Sequence, residues 1–450
     1  MKFLAKNGWL LLLLICCGKA FSQSQVEIHQ VNVGNGDGAL IKVIDGGTLV
    51  YTIVIDGGLP STSNSFVPYL KQALPDMPGH AGKKKIDWVI LSHNHQDHFN
   101  GLIQMFKDPA FIISNITDQG VYSITTGKYP TPLVTPTNSN TAPYITPAKG
   151  KTTPQTALIG YANAVKIASD RSKIITTADI KPIDGFVNST KTFQDIPIPA
   201  TVGGTPLTMV CIAANAFTRT ITGTTARDIG NLNPNNFSYG WVLEFGKFRF
   251  YSGGDLGGYS GSYTDQEDGM GTYLTARYPS NHPLDGTNTG KNFPGHVCVA
   301  KADHHGSTNS SNPEFLEALA YSAIVTSAGK HSRWKIPTEE FVDRVADNPA
   351  FGAKQGIYFT QLYNYGTDNA LKEANTKFKG KAAYDYIEPT AAKTGQYSYI
   401  FVIKKSTTYP TPPSGSKTVD ITAESTFEVF KVRSSDYATT SQYFFKCHQP

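Results

Sequence analysis

Alternating and continuous apolar runs divide the first hundred residues into strands. Residues 26–33 alternate apolar and polar side chains, which is the pattern of a half-buried strand. Two further apolar runs, residues 39–44 and 48–55, follow after turns rich in glycine. The three runs predict a strand meander, and residues 86–91 predict a further strand behind it.

The same kinds of pattern return in the second half of the chain. Residues 239–245 and 247–251 predict a hairpin around Gly246. Later strands are predicted at residues 297–302, 323–327 and 397–403. Helices are predicted at residues 99–106, 156–168, 313–319 and 337–345. The third of these helices has the clearest start, with Asn312 as the cap and Pro313 at the first helical position.

Two segments break the pattern and set the predicted domain boundaries. Residues 107–227 are rich in Thr, Pro, Ser and Asn and contain no histidine. We interpret them as an insertion with long loops, placed within one domain of residues 23–405. Residues 407–416 have the composition of a linker. Residues 406–450 are therefore predicted to be a linker followed by a short C-terminal extension.

The N-terminus is typical of an export signal. A cationic start is followed by the apolar run 9–15 and by Ala20-Phe21-Ser22, a small-x-small cleavage site. The apolar run is too short to span a bilayer comfortably. The sequence predicts a cleaved signal peptide of residues 1–22, a secreted or periplasmic protein, and no transmembrane segment in the mature chain.

Composition and net charge exclude few classes of protein function. Hydrophobic residues make up 40% of the 450 positions and charged residues 17%, with a formal net charge of +5. The one dense basic run, Lys83-Lys84-Lys85, is typical of a solvated loop, so charge gives no argument for nucleic acid. Signal cleavage leaves Cys211, Cys298 and Cys447. The first two lie in apolar runs and are predicted to be buried thiols, and an odd count argues against a disulfide framework.

The side chains best suited to bind a metal ion lie in residues 91–98, Leu-Ser-His-Asn-His-Gln-Asp-His, between a predicted strand and a predicted helix. His93 and His95 are two positions apart, so an extended backbone points both to the same side. Asp97 and His98 fall where the chain turns and can aim back across the same pocket. Zinc and similar metals bind this mixture of imidazole nitrogen and carboxylate oxygen. A histidine-rich surface loop is the alternative, but the coincidence of strand, motif and helix favours a metal site.

This His-x-His-x-Asp-His motif resembles that of the metallo-β-lactamase superfamily of dinuclear metal hydrolases. The chain further resembles the hydrolase domain of ComEC-type DNA-uptake proteins and their secreted relatives, which include phosphorylcholine esterases. The stretches that carry this second resemblance are residues 31–38, 55–58, 235–238, 254–255 and 304–307. The resemblance implies an α/β fold, an αββα sandwich of the metallo-β-lactamase type with a long insertion.

The resemblance also implies two divalent metal ions, zinc or manganese, and a ligand set for them. The first metal would take His93, His95 and Asp255. The second would take Asp97, His98, Asp255 and His305. Asp255 would bridge the two ions from a strand end between glycines. Spacing to the following serine selects His305 as the ligand. His304 is left to support a ligand or to donate a proton to the leaving group, and the alternative is that it merely packs the loop.

Two departures from the family pattern affect this ligand set. No histidine lies between His98 and His282, so the third histidine that many members place on the first metal is absent. Water, Asn235 or Asn236 would complete that site. Lys335-Ile336-Pro337 stands where the ComEC-like pattern usually has Gly-His-Pro, and nearby His331 could substitute for the missing histidine.

These observations lead to one principal function and two alternatives. The principal prediction is a secreted metal-dependent hydrolase that cleaves a small or polymeric phosphodiester with a metal-activated water, using Asp97 and His304 as catalytic residues. One alternative is a hydrolase of a lactone or another carboxylic ester. The other is a non-catalytic, metal-containing module that binds a surface.

Overall fold

The structure is a computed structural model. It describes residues 24–59, 66–118, 122–123, 131–132, 145–146, 160–161, 163–165, 167–172, 186–187, 192–193, 195–214, 217–221, 226–228, 234–258, 265–278, 297–329, 334–348, 355–363, 369–386, 397–405, 426–433 and 439–446. The predicted signal peptide and His331 lie outside these residues.

The described strands are β1 Ser24–Val31, β2 Ala39–Asp45, β3 Thr48–Ile55, β4 Lys84–Ile86, β5 Trp88–Ile90, β6 Phe111–Ile113, β7 Ile116–Thr117, β8 Tyr122–Ser123, β9 Thr131–Pro132, β10 Ile145–Thr146, β11 Phe186–Val187, β12 Thr192–Phe193, β13 Ile196–Val202, β14 Thr205–Ala214, β15 Phe217–Arg219, β16 Ala226–Asp228, β17 Gly240–Phe245, β18 Phe248–Ser252, β19 Val299–Lys301, β20 Ala323–Thr326, β21 Gly356–Phe359, β22 Ala383–Tyr386, β23 Tyr397–Lys405, β24 Thr426–Arg433 and β25 Thr439–Lys446. The helices are α1 Phe66–Ala73, α2 Gln96–Lys107, α3 Gln266–Arg277, α4 Pro313–Leu319, α5 Glu339–Asp347 and α6 Ala370–Phe378. Helical residues also occur within 160–172.

Two large sheets form the centre of the fold. The first has eight strands in the order β25-β24-β23-β1-β2-β3-β5-β7. The second has ten strands, in the order β16-β15-β14-β17-β18-β19-β20-β21-β22 with β13 paired to β14. The predicted meander is confirmed, because β1, β2 and β3 pair as antiparallel neighbours. The predicted hairpin around Gly246 is confirmed by the antiparallel pair β17 and β18.

The inner faces of the two sheets share one apolar core. Ile28 and Ile53 of the first sheet belong to the same buried cluster as Trp241, Leu243 and Phe250 of the second. Each large apolar side chain buried in this way contributes about 1.5–3 kcal/mol. The apolar side chains that alternate along these strands point into the space between the sheets, and their packing holds the sheets face to face.

Helices cover the two outer faces. A second buried cluster joins α1 and α2 to the outer face of the first sheet. A third joins α3, α4, α5 and α6 to the outer face of the second sheet. The layer order is thus helix, sheet, sheet, helix, and the predicted α/β fold class with its αββα sandwich is confirmed.

Helix α2 is held unusually close to the turn that follows β3. A Cβ atom at Gly101 would lie 1.8 Å from the carbonyl oxygen of Gly57, so no larger side chain fits there. The amide of Gly57 donates to His98 O over 2.8 Å, and that of Gly101 donates to Gly58 O over 2.9 Å. This contact fixes the first turn of α2, which carries Asp97 and His98, against the end of β3.

The predicted boundaries of the insertion and of the C-terminal extension need correction. Strands β13 and β14 fall within the predicted insertion 107–227, yet β14 pairs with β17 inside the second sheet. Strands β24 and β25 fall within the predicted extension 406–450, yet they continue the first sheet beyond β23. Both boundaries were drawn from local changes in composition. The pairing of a strand within a sheet depends on residues far away in the chain, so local composition does not reveal it.

The cysteine prediction is right for one residue and wrong for another. Cys211 is a free, buried thiol as expected. Cys298 is disulfide-bonded, with its partner outside the described residues, so the odd cysteine count did not exclude a disulfide.

Among the helices of the described residues, none has both the length and the apolar composition needed to cross a membrane.

Candidate metal centre

The predicted ligands come together at one edge of the sandwich. His93 and His95 follow β5, and Asp97 and His98 form the start of α2. Asp255 follows β18, while His304 and His305 lie in the turn Asp303–Gly306 after β19. Both strand pairs that lead here, β3 with β5 and β18 with β19, are parallel, and the side chains gather where these strands end.

Asp255 lies between two groups of imidazoles: the first group is His93 and His95, and the second group is His98 and His305. Its Oδ2 is 3.5 Å from His93 Nε2, and His93 Nε2 is 2.8 Å from His95 Nδ1. Its Oδ1 is 3.2 Å from both His98 Nε2 and His305 Nε2. One carboxylate oxygen therefore faces His98 and His305. The other faces His93, and His93, His95 and Asp255 lie close enough together to share a second ion, as expected for a bridging ligand.

The second group carries polar atoms that lack hydrogen-bond partners. His98 Nε2, His305 Nε2 and Asp255 Oδ1 are buried and make no hydrogen bond within the described protein. Buried polar atoms are rarely left in this state. A divalent cation among them would satisfy all three, so the donor set fits a metal ion of the type that imidazole and carboxylate ligands bind.

The electrostatics of the centre favour added positive charge. Burial works against ionisation of Asp255, but the charges of His305 and His98 outweigh it and hold the pKa of Asp255 well below its usual value. Burial likewise disfavours the charged form of His305, yet Asp255 and Asp37 raise its pKa to about 10. By contrast, burial and the neighbouring charge of His98 lower the pKa of His93 well below its usual value, which leaves the neutral imidazole that a metal requires.

Asp97 stands on the solvent side of the second group. Its Oδ2 is 3.6 Å from His305 Nε2, and its side chain is 32% exposed, whereas that of Asp255 is 3% exposed. Burial opposes ionisation of Asp97, but the nearby imidazole of His305 and the charge of His98 outweigh it and lower the pKa of Asp97. Asp97 is therefore an ionised carboxylate at the open side of the centre.

His304 faces the first group and contacts Asn235. Its Nε2 is 3.6 Å from Asp255 Oδ2 and 3.3 Å from Asn235 Nδ2. Burial lowers the pKa of His304 to about 4. The ring is therefore neutral at pH 7 in the metal-free protein. Asn236 is buried, and its main-chain carbonyl oxygen accepts a hydrogen bond from Gln266 Nε2 over 2.8 Å.

Sequence reasoning missed three charged residues that support the histidines. Asp56 accepts from His98 Nδ1 over 2.8 Å and from the Ser92 amide over 2.7 Å. Asp37 forms a buried ion pair with Lys301. Asp37 and Asp56 lie in the glycine-rich turns 34–38 and 56–58, which also carry part of the ComEC-type resemblance, but the sequence analysis gives neither aspartate a role. Their position next to glycines after apolar strands and within those stretches is the signal that could have singled them out.

Asp37 lies on the Nδ1 side of the His98 and His305 rings, opposite the Nε2 atoms that face Asp255. It lies close enough to His98, Asp255 and His305 to share an ion with them. However, its carboxylate approaches the Nδ1 atoms, at 3.4 Å for His305 and 3.9 Å for His98, whereas Asp255 faces the Nε2 atoms of both rings. We therefore assign Asp37 to orienting the rings, together with Asp56 and the carbonyl of Ser327, which lies 2.8 Å from His305 Nδ1.

The Asp56–His98 hydrogen bond gives a first testable prediction. Replacing Asp56→Asn should weaken metal binding about 10–100-fold, because carboxylates that hydrogen-bond a ligating histidine orient the ring and raise its basicity. Competition with a chromogenic chelator measures the affinity. Asp76→Asn, which changes an exposed carboxylate near β4, is the control and should bind metal as the wild type does. Unchanged affinity in Asp56→Asn would remove this residue from the centre.

Comparison with known proteins supports the family assignment over part of the chain. The sequence model of the metallo-β-lactamase superfamily matches residues 43–157. Among solved structures, the fold is similar to Zn²⁺-bound PqqB from Methylobacterium extorquens, with 12% sequence identity, a TM-score of 0.35, and coverage of 81% of this chain and 98% of that one. No curated protein sequence matches the chain. The sequence match, the αββα sandwich and the histidine motif inside the matched segment identify a metallo-β-lactamase superfamily domain in this chain.

Proposed function

We propose that this protein is a hydrolase that uses two divalent metal ions, zinc or manganese, held on either side of Asp255. The observation that carries the proposal is the division of one buried carboxylate between two imidazole groups, His93 with His95 and His98 with His305. Asp97 is proposed as a further ligand of the second ion, at its open side.

Bound divalent ions of this kind supply an activated water at neutral pH and polarise the oxygen of the electrophile. The chain's own residues hold and orient this centre. Asp56, Asp37 and the Ser327 carbonyl fix the rings of His98 and His305 from behind. Asp97 stays ionised at the solvent side, where substrate would enter.

A phosphodiester, small or polymeric, is the substrate class we propose. The support is the ordered set of stretches that resembles ComEC-type hydrolase domains, including residues 31–38 and 304–307. In the structure these two stretches meet, because Asp37 of the first contacts His305 of the second. A lactone or another carboxylic ester remains the second candidate, since the same metal pair can hydrolyse it. Assays of metal-loaded protein against phosphodiesters, phosphomonoesters, lactones and carboxylic esters separate these classes.

Metal removal should abolish hydrolysis reversibly. Dialysis against a strong chelator should reduce turnover to the background rate, and added Zn²⁺ or Mn²⁺ should restore it, because the water would otherwise lack its activator. Turnover is measured before and after reconstitution on the same sample. A metal-containing protein that hydrolyses none of the four substrate classes would instead support the non-catalytic binding module.

We also propose that the protein is exported and begins near Gln23. The support is the cationic start, the apolar run and the cleavage site at Ala20-Phe21-Ser22. The disulfide at Cys298 adds to it, since disulfides persist in oxidising compartments. N-terminal sequencing of the exported protein should find a start near Gln23. Non-reducing peptide mapping should then link Cys298 to Cys447, the only other cysteine that cleavage leaves besides the free Cys211. Cell-associated protein that retains Met1 would contradict export.

A further inference from the structure

Two neighbouring histidines point at different oxygens of Asp255. His304 Nε2 lies 3.6 Å from Asp255 Oδ2, and His305 Nε2 lies 3.2 Å from Oδ1. The oxygen that His304 faces is the one that His93 faces at 3.5 Å. His304 therefore faces the same carboxylate oxygen as His93 of the first group, whereas its chain neighbour His305 faces the other oxygen together with His98.

The backbone is strained in the way needed to separate these rings. His304 has φ 43° and His305 has φ 56°, both in the left-handed region. That region is unfavourable for residues other than glycine, because the Cβ atom comes too close to the following carbonyl oxygen. Hydrogen bonds hold the turn in place: His304 N donates to Gly254 O over 3.0 Å, and Ser307 N donates to His304 O over 2.9 Å. Such strain is typically retained where the side chains it directs have a function.

The first group gains a full ligand set when His304 is included. Without it, the group offers two imidazoles and one carboxylate. With it, His93, His95, His304 and Asp255 give four donor side chains, the same number as Asp97, His98, Asp255 and His305 at the second. Four nitrogen and oxygen donors are a common complete set for zinc, although a catalytic site can keep three protein ligands and one open position.

We infer that His304 is a metal ligand, the third imidazole of the first group, and not the proton donor expected from the sequence. The inference rests on the proposed two-metal centre. The competing role for His304 is its contact with Asn235, 3.3 Å away, in which the ring would only pack and position that amide. The two roles differ in what they do to metal binding.

Metal affinity provides the first test. His304→Ala should weaken one of the two Zn²⁺ ions by more than the roughly 10–100-fold that loss of an outer partner costs, and leave the other nearly unchanged. His305→Ala should weaken the other ion. Asn235→Ala removes the competing contact, and it should weaken the same ion less than His304→Ala does. Competition with chelators of graded strength measures each affinity, and circular dichroism verifies that each variant is folded. Wild-type affinity for two ions in folded His304→Ala overturns the inference.

A spectroscopic test distinguishes ligation from indirect effects. In Co²⁺-loaded His304→Cys, a thiolate at position 304 should give a sulfur-to-cobalt charge-transfer band in the near ultraviolet. His80→Cys, a change at an exposed position in the turn before β4, should give none. Two bound Co²⁺ ions without this band in His304→Cys contradict the inference, but leave the proposed function standing. Failure of the wild type to bind any metal contradicts both.

A measurement on the unaltered protein covers the case in which His304→Cys does not fold. Each imidazole ligand of Co²⁺ contributes one strongly shifted, exchangeable ring N–H signal to the proton NMR spectrum. One such signal is expected for each of His93, His95, His98, His304 and His305. Four signals in the protein with two bound Co²⁺ ions, assigned through nuclear Overhauser contacts to His93, His95, His98 and His305, would exclude His304 as a ligand.

Discussion

Replacing Asp255→Asn is expected to disable both metal sites in one step. Asp255 is 2% exposed, and each of its oxygens faces a different imidazole group. The amide has no negative charge, so both ions lose the carboxylate that they share, and only the second ion would keep another carboxylate, that of Asp97. Metal affinity should fall by more than the roughly 10–100-fold cost of losing an outer partner, and hydrolysis should drop to the rate of metal-free protein. Elemental analysis and turnover are measured on the same preparation.

The control for this change is Asp347→Asn, at an exposed position at the end of α5. It removes the same charge far from Asp255 in the chain and should leave metal content and rate at wild-type values. Retention of two ions per chain in Asp255→Asn would show that the carboxylate does not bridge them. Loss in both variants would indicate an effect of net charge instead.

Replacing Lys301→Met is expected to destabilise the protein by about 3–5 kcal/mol, because it leaves a buried carboxylate without its partner. Lys301 is 2% exposed and pairs with Asp37, which is 5% exposed. Its ammonium group also donates to Gly254 O over 2.7 Å. The pair joins the β1–β2 loop of the first sheet to β19 of the second. Urea unfolding of metal-free protein measures the change in the free energy of unfolding.

A second variant isolates the charge effect in this pair. The double change Asp37→Asn and Lys301→Met removes both charges, so much of the lost stability should return. Equal losses in the single and double variants would mean that the packing of the lysine side chain, rather than the unpaired charge, sets the cost.

Elements that depend on short stretches of chain could be predicted from the sequence. Helix α4 begins at Pro313 as expected, because its start is encoded locally: Asn312 Oδ1 accepts from the Phe315 amide over 2.6 Å. The strands β1, β2 and β3 were likewise visible as apolar runs separated by turns. The αββα sandwich itself came from the resemblance, which these local patterns alone could not supply.

Features that depend on distant residues could not be predicted in this way. Asp37 and Lys301 are far apart in the chain, and their ion pair exists only because the two sheets meet at this edge. The same holds for Asp56 behind His98, and for β24, whose strand pattern was visible although its pairing with β23 was not. The local pattern around His304 and His305 showed two candidates, but only their left-handed backbone directs them to different oxygens.

Hydrolysis is expected to depend on two ions held about Asp255, and a metal titration measures this dependence directly. Metal-free protein is titrated with Zn²⁺ while bound metal and the hydrolysis of a chromogenic phosphodiester are followed together. Binding should saturate at about two equivalents, and activity should rise with bound metal. Saturation at two equivalents without hydrolysis of any phosphodiester, lactone or carboxylic ester, or activity that persists with no bound ion, would contradict this expectation.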